Sequence, residues 1–346
     1  MLEVPCTSTL KTKFAYKAHH GATTSMDWSG QHGPREFSAF LRQIGNWNAD
    51  LLSRVWSRTL EKGNLSKPII IYNRTTKRSQ DLQAKVGKDK ATVAESIPEA
   101  VKTSDIIFTC VGDDKAIHDT LDTALGSGDV SGKLFVDCST VHPDTTTELD
   151  KKVTSKGAHF VACPVFGAPA MADSGSLVCV LAGKAEDIEK VKPYCKSVMG
   201  RAEIDYSGQE PSRATLLKII GNSFVLQMVE ALSVGHTLAE KTGLGVDNLH
   251  QFIETLFPGP YTAYSTRMRT GDYYHRDEPL FAANLARKDV KHALALGESS
   301  GTKTRVLGLI EEHVAAVQNE QGDKGDIAGI YGAVRKESGL EFGNGK

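Results

Sequence analysis

Net charge is nearly absent from this chain. Its 346 residues carry 41 Lys and Arg against 42 Asp and Glu, a balance of −1. With no basic surplus, neither nucleic acid nor an anionic membrane is expected as a partner. Cysteine pairs are missing too: six thiols (Cys6, Cys110, Cys138, Cys163, Cys179, Cys195) are spread along the chain with no CxxC spacing. That spread excludes a disulfide framework and the usual zinc ligand sets, and four of the six lie in strand-like apolar runs, as core thiols of an intracellular protein do. The histidines form no HExxH or other ligand spacing, so no metal is expected. No uninterrupted apolar stretch approaches the roughly 20 residues of a membrane span. An apolar h-region is also absent from the start, which excludes a secretory signal. No arginine precedes Arg35, which argues against a mitochondrial leader; the cytoplasm is the expected compartment and the mitochondrion the alternative.

What is present divides into unlike parts. Residues 1–43 have no sustained periodicity, and all three tryptophans (Trp28, Trp47, Trp56) fall in the first 56 positions. This composition marks 1–43 as a disordered or aberrant segment. From about residue 68 the texture is regular. Apolar runs at 68–73, 105–111, 133–139, 158–165 and 176–183 alternate with helical patterns at 75–86, 96–103, 115–125, 144–156 and 185–198. Near-continuous apolar strands separated by helices predict a mainly parallel sheet covered on both faces, with ligands at the strands' carboxyl edge. After Gly208 only helical patterns follow. The expected fold class is α/β: a Rossmann-like nucleotide domain over 44–207, then an all-helical domain over 208–346 for substrate and dimerisation. The expected oligomer is a homo-oligomer through the helical part.

Several motifs carry chemistry. Lys218 and Asn222 stand four apart in a helical run among small and apolar neighbours, so the amine and the amide share a face. An amine at an apolar wall has its pKa lowered toward the working pH, as proton donation to a developing alkoxide needs. A surface lysine beside a solvated amide on an ordinary amphipathic helix is the alternative. Asn73-Arg74-Thr75 follows the first clear strand, where an acidic residue would bind a ribose 2′-hydroxyl and favour NAD. A guanidinium and a hydroxyl there suit a 2′-phosphate; simple helix capping is the other reading. With the surrounding alternation, NADP is the expected cofactor and NAD the alternative. Ser139-Thr140 ends another strand and can offer hydroxyls and N–H groups to nicotinamide or a substrate carboxylate, or cap the next helix. Gly167 and Ala168 lie between two strands, where small residues admit close approach of a ligand or merely make a turn. Lys288, before Asp289 in a helical run, reaches the cofactor on one reading and solvent on the other.

Taken in order, NRT, DCST, PVFGAPAMADSGSL, KIIGN and KD resemble the β-hydroxyacid dehydrogenase family over about residues 61–336. Its members include 3-hydroxyisobutyrate dehydrogenase, with 6-phosphogluconate dehydrogenase a larger relative. The helical half is too short for 6-phosphogluconate dehydrogenase itself. The resemblance implies that Lys218 is general acid/base and Asn222 orients a small carboxylate substrate. It also implies that Lys288 lies by the nicotinamide, and that Thr140, Val111 and Gly112 line the cofactor.

Two departures stand out. Where the family's substrate loop reads PVSGG, this chain has Pro164-Val165-Phe166-Gly167-Ala168, a bulkier and more apolar lining. The family's opening strand and GLGNMG turn should place glycines near 47, 49 and 52, but Trp47, Ala49 and Leu52 stand there. Codons for Arg54–Leu60 read in a shifted frame can give the family's GMVKNL, so an altered reading frame or a misplaced splice is the expected origin of the break. As printed, the chain is expected to lack the first strand, to bind NADP weakly and to turn over little. Two functions follow: an NADP-dependent 3-hydroxyacid dehydrogenase, or an inactive relative serving as a binding or assembly protein.

Overall fold

Runs of two to eight residues, most of them rich in branched and aromatic side chains, build the strands of the first lobe, and helix caps mark where several crossovers begin. The computed structural model describes residues 37–40, by backbone alone, and 68–345. Among the described residues nine strands form one sheet: β1 (Phe37–Phe40), β2 (Ile69–Tyr72), β3 (Ala91–Val93), β4 (Ile106–Thr109), β5 (Leu134–Asp137), β6 (His159–Ala162), β7 (Val165–Phe166), β8 (Leu177–Gly183) and β9 (Gly200–Ser207). Their order is β3-β2-β1-β4-β5-β6-β8-β7, with β9 on the other edge of β8. The pairs from β3 through β6 are parallel, whereas β6 and β7 run antiparallel to β8. The chain direction across the sheet reverses between β1 and β4, and such a switch point opens a crevice at the carboxyl edge.

The first strand is a correction to the sequence reading. Phe37–Phe40 pairs with both neighbours, Ser38 opposite Ile70 and Ile107. The sheet therefore begins inside the stretch set apart as 1–43, and the chain does not lack this strand. The missing periodicity over 1–43 placed the domain start later, but FSAF is enough for four residues of ladder between β2 and β4. Strands β3 and β9 also escaped the sequence reading. β3 has three residues, and β9 reads GRAEIDYS with a half-exposed, polar-rich pattern. The expected glycine-turn positions Trp47, Ala49 and Leu52, and the segment Arg54–Leu60, lie outside the described residues.

Helices α1 (Thr76–Val86), α2 (Ile97–Lys102), α3 (Asp114–Leu125), α4 (Pro143–Thr154), α5 (Pro169–Asp173) and α6 (Ala185–Cys195) belong to this lobe. Local chemistry starts them. Ser96 accepts from the Glu99 N–H while the Glu99 carboxylate accepts from the Glu95 N–H; Asp113 accepts from Ala116 N at 2.8 Å. Such caps satisfy amides that a helix start leaves without partners. The sheet's two faces bury separate apolar clusters, one around Phe108, Val136 and Leu181, the other around Ile107, Phe135 and Leu149. Five cysteines are free and buried here, and the Cys163, Cys179 and Cys195 sulfurs lie within 4.8 Å of one another; Cys6 lies outside the described residues.

The second lobe is helical: α7 (Ser212–Lys241), α8 (Val246–Leu256), α9 (Pro260–Arg269), α10 (Asp272–His275), α11 (Ala283–Ser300), α12 (Arg305–Gln321) and α13 (Ile330–Glu337). The 30-residue α7 serves both cores. Its Ala214 packs into the sheet's cluster, while Ile219, Leu226 and Val229 belong to the helical one. A buried Thr146–Thr215 hydroxyl bond of 2.9 Å ties α4 to its first turn. By length and composition α7 is apolar enough to cross a bilayer, which no unbroken apolar run in the sequence announced; 44% of that apolar window is buried in the protein.

Candidate active site

Five positions between Thr140 and Asp289 meet at the carboxyl edge of β5 and the flank of α7. Lys218 donates to Asn222 Oδ1 at 3.0 Å, and Asn222 Nδ2 donates to Asp289 Oδ2 at 2.6 Å. Lys288 donates to Asp289 Oδ1 at 2.8 Å and also to the Thr140 carbonyl. The result is one continuous chain of polar contacts from the end of β5 to the Lys218 amine. Helical geometry supplies the first link, because residues four apart on α7 stack. Asp289 supplies the junction, since it sits on the buried face of α11 beside Ala286 and Val290. A carboxylate buried there needs partners, and two of its neighbours provide them.

This network fixes the electrostatics of the amine. Lys218 is only 8% exposed. Burial pushes its pKa from 10.5 down to about 8; the Asp289 carboxylate opposes that shift and the Lys288 cation adds to it. The amine therefore changes charge near neutral pH. It also stands 4.4 Å from the centroid of the Phe166 ring, over its face. That ring lies against the backbone of α7 at Gly221, where a Cβ would meet the ring at 2.5 Å. A glycine inside a helix costs about 1 kcal/mol relative to alanine. Here it leaves room for an aromatic wall one turn from the amine.

The remaining expected site residues fall into three groups. Val111, Ser139, Thr140 and Lys288 are brought together: the Val111 N–H donates to Ser139 Oγ at 2.9 Å, and Gly112 is buried at the same turn. Ser139 does not face the cleft as the sequence reading expected. It is fully buried, with its hydroxyl committed to Val111 and to the Asp137 carboxylate. Its work is to hold the ends of β4 and β5 in register. Thr140 does not cap the following helix, a role His142 takes with Pro143 in the first turn. Gly167 adopts φ of 141°, a conformation that favours glycine, and with Ala168 it is half-exposed beside Phe166. At the end of β2, Asn73 is buried and its Oδ1 accepts from Thr75 N at 2.8 Å. The buried amide shapes the turn, so Arg74 and Thr75 are the members of the triplet exposed at the edge.

Sequence reasoning missed three contributors. Asp289 was visible as an acid on an apolar helical face. Asp114 receives Nε2 of His292 at 2.8 Å, Thr145 Oγ1 at 2.7 Å and the His142 N–H at 2.8 Å. Burial opposes its ionisation, but these bonds hold its carboxyl well below the usual range. The contact joins the two lobes one turn beyond Lys288, and no sequence pattern links positions 178 apart. Asp137 lies under the same edge, where burial raises its pKa to about 6.

Among the described residues the edge fits a nicotinamide dinucleotide of the NAD(P) type. No acidic side chain stands at 73–75, Arg74 is exposed at the end of β2, and Lys288 meets the Thr140 carbonyl near the buried Gly112 turn. The pyrophosphate turn falls outside the described residues.

Comparison with known proteins agrees with this geometry. The sequence model for the NAD binding domain of 6-phosphogluconate dehydrogenase matches residues 58–208, taking up just after the stretch where the glycine turn was expected. The NADH-dependent oxidoreductase ucdB of Aspergillus ustus is 34% identical over 82% of this chain and 95% of its own length. The cytokine-like nuclear factor N-PAC of Danio rerio is 28% identical over 84% of this chain, which spans 62% of that longer protein. In fold, 3-hydroxyisobutyrate dehydrogenase of Mycobacterium tuberculosis, solved with L-serine, superposes with a TM-score of 0.71 at 17% identity, covering 86% of this chain and 99% of that one. The chain belongs to the β-hydroxyacid dehydrogenase family of NAD(P)-dependent oxidoreductases, whose nucleotide domain is of the 6-phosphogluconate dehydrogenase type.

Proposed function

We propose that the chain transfers hydride between NADP(H) and a small 3-hydroxyacid or aldehyde acid. The buried Lys218–Asn222–Asp289–Lys288 network is the observation that carries this reading. NADPH, when bound, supplies the hydride that the carbonyl carbon receives. In reduction, Lys218 gives its proton to the carbonyl oxygen as it becomes an alcohol; in oxidation the neutral amine takes the hydroxyl proton. Asn222 keeps the amine aimed, with its own amide orientation set by Asp289. Backbone N–H groups of 166–168 support the substrate's carboxylate end, and Arg74 with Thr75 supports NADP over NAD. The relative's printed name specifies NADH, so nucleotide choice is part of the test. Spectrophotometric NADPH oxidation with a panel of carbonyl acids should show turnover, and Lys218→Ala should lower it by about 10²–10⁴, the usual share of a proton-transfer group. Unchanged turnover would remove Lys218 from its role.

A second reading, a non-catalytic binding or assembly protein, is favoured by Trp47, Ala49 and Leu52 at the fingerprint positions. A tight pyrophosphate turn uses glycine for close backbone approach. Calorimetric titration separates the two: micromolar NADPH affinity supports the dehydrogenase, and no binding supports the assembly protein. On either reading a second copy of this chain is the proposed partner. Ile220, Phe224, Ala231, Val234 and Leu238 make an exposed apolar stripe at coiled-coil spacing along α7.

A further inference from the structure

We infer that Phe166, seated on Gly221, is the specificity-determining wall of the site, and that it selects substrates carrying an aromatic or branched apolar group beside the reacting carbon. This rests on the dehydrogenase reading and names its substrate class. Four observations support it. Phe166 ends β7, paired with Val178, so the strand ladder fixes its backbone. Gly221 lets the ring lie directly on α7, and Lys218 stands over the ring face at 4.4 Å. The ring is half-exposed, beside the half-exposed Gly167 and Ala168, so part of its surface is available to a ligand. Met171 and Leu177 pack behind the same turn, so the wall is apolar on that side too. A substrate oriented for proton transfer from Lys218 must therefore place one substituent against an aromatic face. A small hydrophilic acid leaves that face wet and unused, whereas a benzyl or branched alkyl group covers it.

The test compares 3-oxopropanoate with 2-benzyl-3-oxopropanoate in NADPH oxidation, and the inert analogues propanoate and 2-benzylpropanoate by calorimetry. Wild type should prefer the benzyl member of each pair at least tenfold, since hydrophobic pockets commonly discriminate by 10–200-fold. Phe166→Ser should bring both ratios within about twofold of unity. Gly221→Ala, whose methyl would push the ring into the cleft, should lower benzyl binding about tenfold in the wild-type background and change it less than twofold in Phe166→Ser, which has no ring to displace. Circular dichroism and melting of each variant establish that it is folded. Equal handling of both pairs by wild type, or a benzyl preference that survives in Phe166→Ser, overturns the inference while leaving the dehydrogenase reading standing. The expected binding ratios with no NADPH oxidised by any carbonyl would support Phe166 as the selecting wall and defeat the dehydrogenase reading instead.

Discussion

Replacing Lys218 with methionine should make the protein more stable and nearly inactive. The amine's pKa falls from 10.5 to about 8 on burial. At about 1.4 kcal/mol per pKa unit, holding it charged at pH 7 costs the fold roughly 3 kcal/mol. Methionine has a similar reach and no charge, so that cost disappears. Against this gain stands the loss of the Asn222 bond and of the contact with the Phe166 ring, together about 1–2 kcal/mol. The expected net gain at pH 7 is therefore about 1–2 kcal/mol, read as a higher urea midpoint with unchanged slope.

The pH dependence carries the sharper test. Between pH 8 and 10.5 the unfolded lysine stays protonated while the folded one does not, so the unfolded state binds more protons. Wild-type stability then rises with pH relative to Lys218→Met, by about 3 kcal/mol across the window, and the advantage of methionine is lost. Titrations common to both proteins cancel in the difference. Activity should follow the same group: reduction needs the ammonium and should decline above about pH 8, while oxidation needs the free amine and should rise through it. A stability difference that is flat from pH 7 to 10.5, or a reductive profile level to pH 10, would refute the reasoning.

Three further expectations concern other parts of the molecule. Arg74→Ala should lower kcat/KM with NADPH at least tenfold while leaving NADH nearly unchanged, because a guanidinium fork matters only to the 2′-phosphate; an equal loss with both nucleotides would place Arg74 elsewhere. His313 donates to buried Glu230 at 2.9 Å, and that bond, aided by the Glu337 carboxylate and opposed by burial, raises its pKa to about 9. Its contribution is complete below pH 6.5 and is lost as pH rises through 9, so wild type should lose about 1–2 kcal/mol relative to Glu230→Gln over that range, the Glu337 share being common to both, measured by urea denaturation. Phe224, 70% exposed at the middle of the apolar stripe on α7, should break self-association when changed to Lys; sedimentation showing the same mass for both proteins would remove that face as the interface.

The nucleotide lobe was legible because its parallel strands are buried on both faces and so read as apolar runs between helical stretches. β4, IIFT, and β5, LFVD, are buried throughout. Strands without that signature were lost: β9 lies at an edge and alternates weakly, and β1 is four residues inside a segment of foreign composition. The site shows the same division. Lys218 and Asn222 are one helical turn apart, so spacing alone brought them together. Asp289, which sets both of them, is 67 residues from Asn222, and only its position on an apolar helix face announced it. Phe166 was seen as a departure from a polar loop, but its meaning came from Gly221, a residue with no side chain to draw notice. The ring and the glycine are 55 positions apart in sequence, and only the packing of β7 on α7 makes them one feature. Local order was thus readable wherever one element carried the whole pattern. Where two elements each supply half of a contact, neither half is informative until the sheet edge and the long helix are placed together, and this chain concentrates its chemistry at that junction.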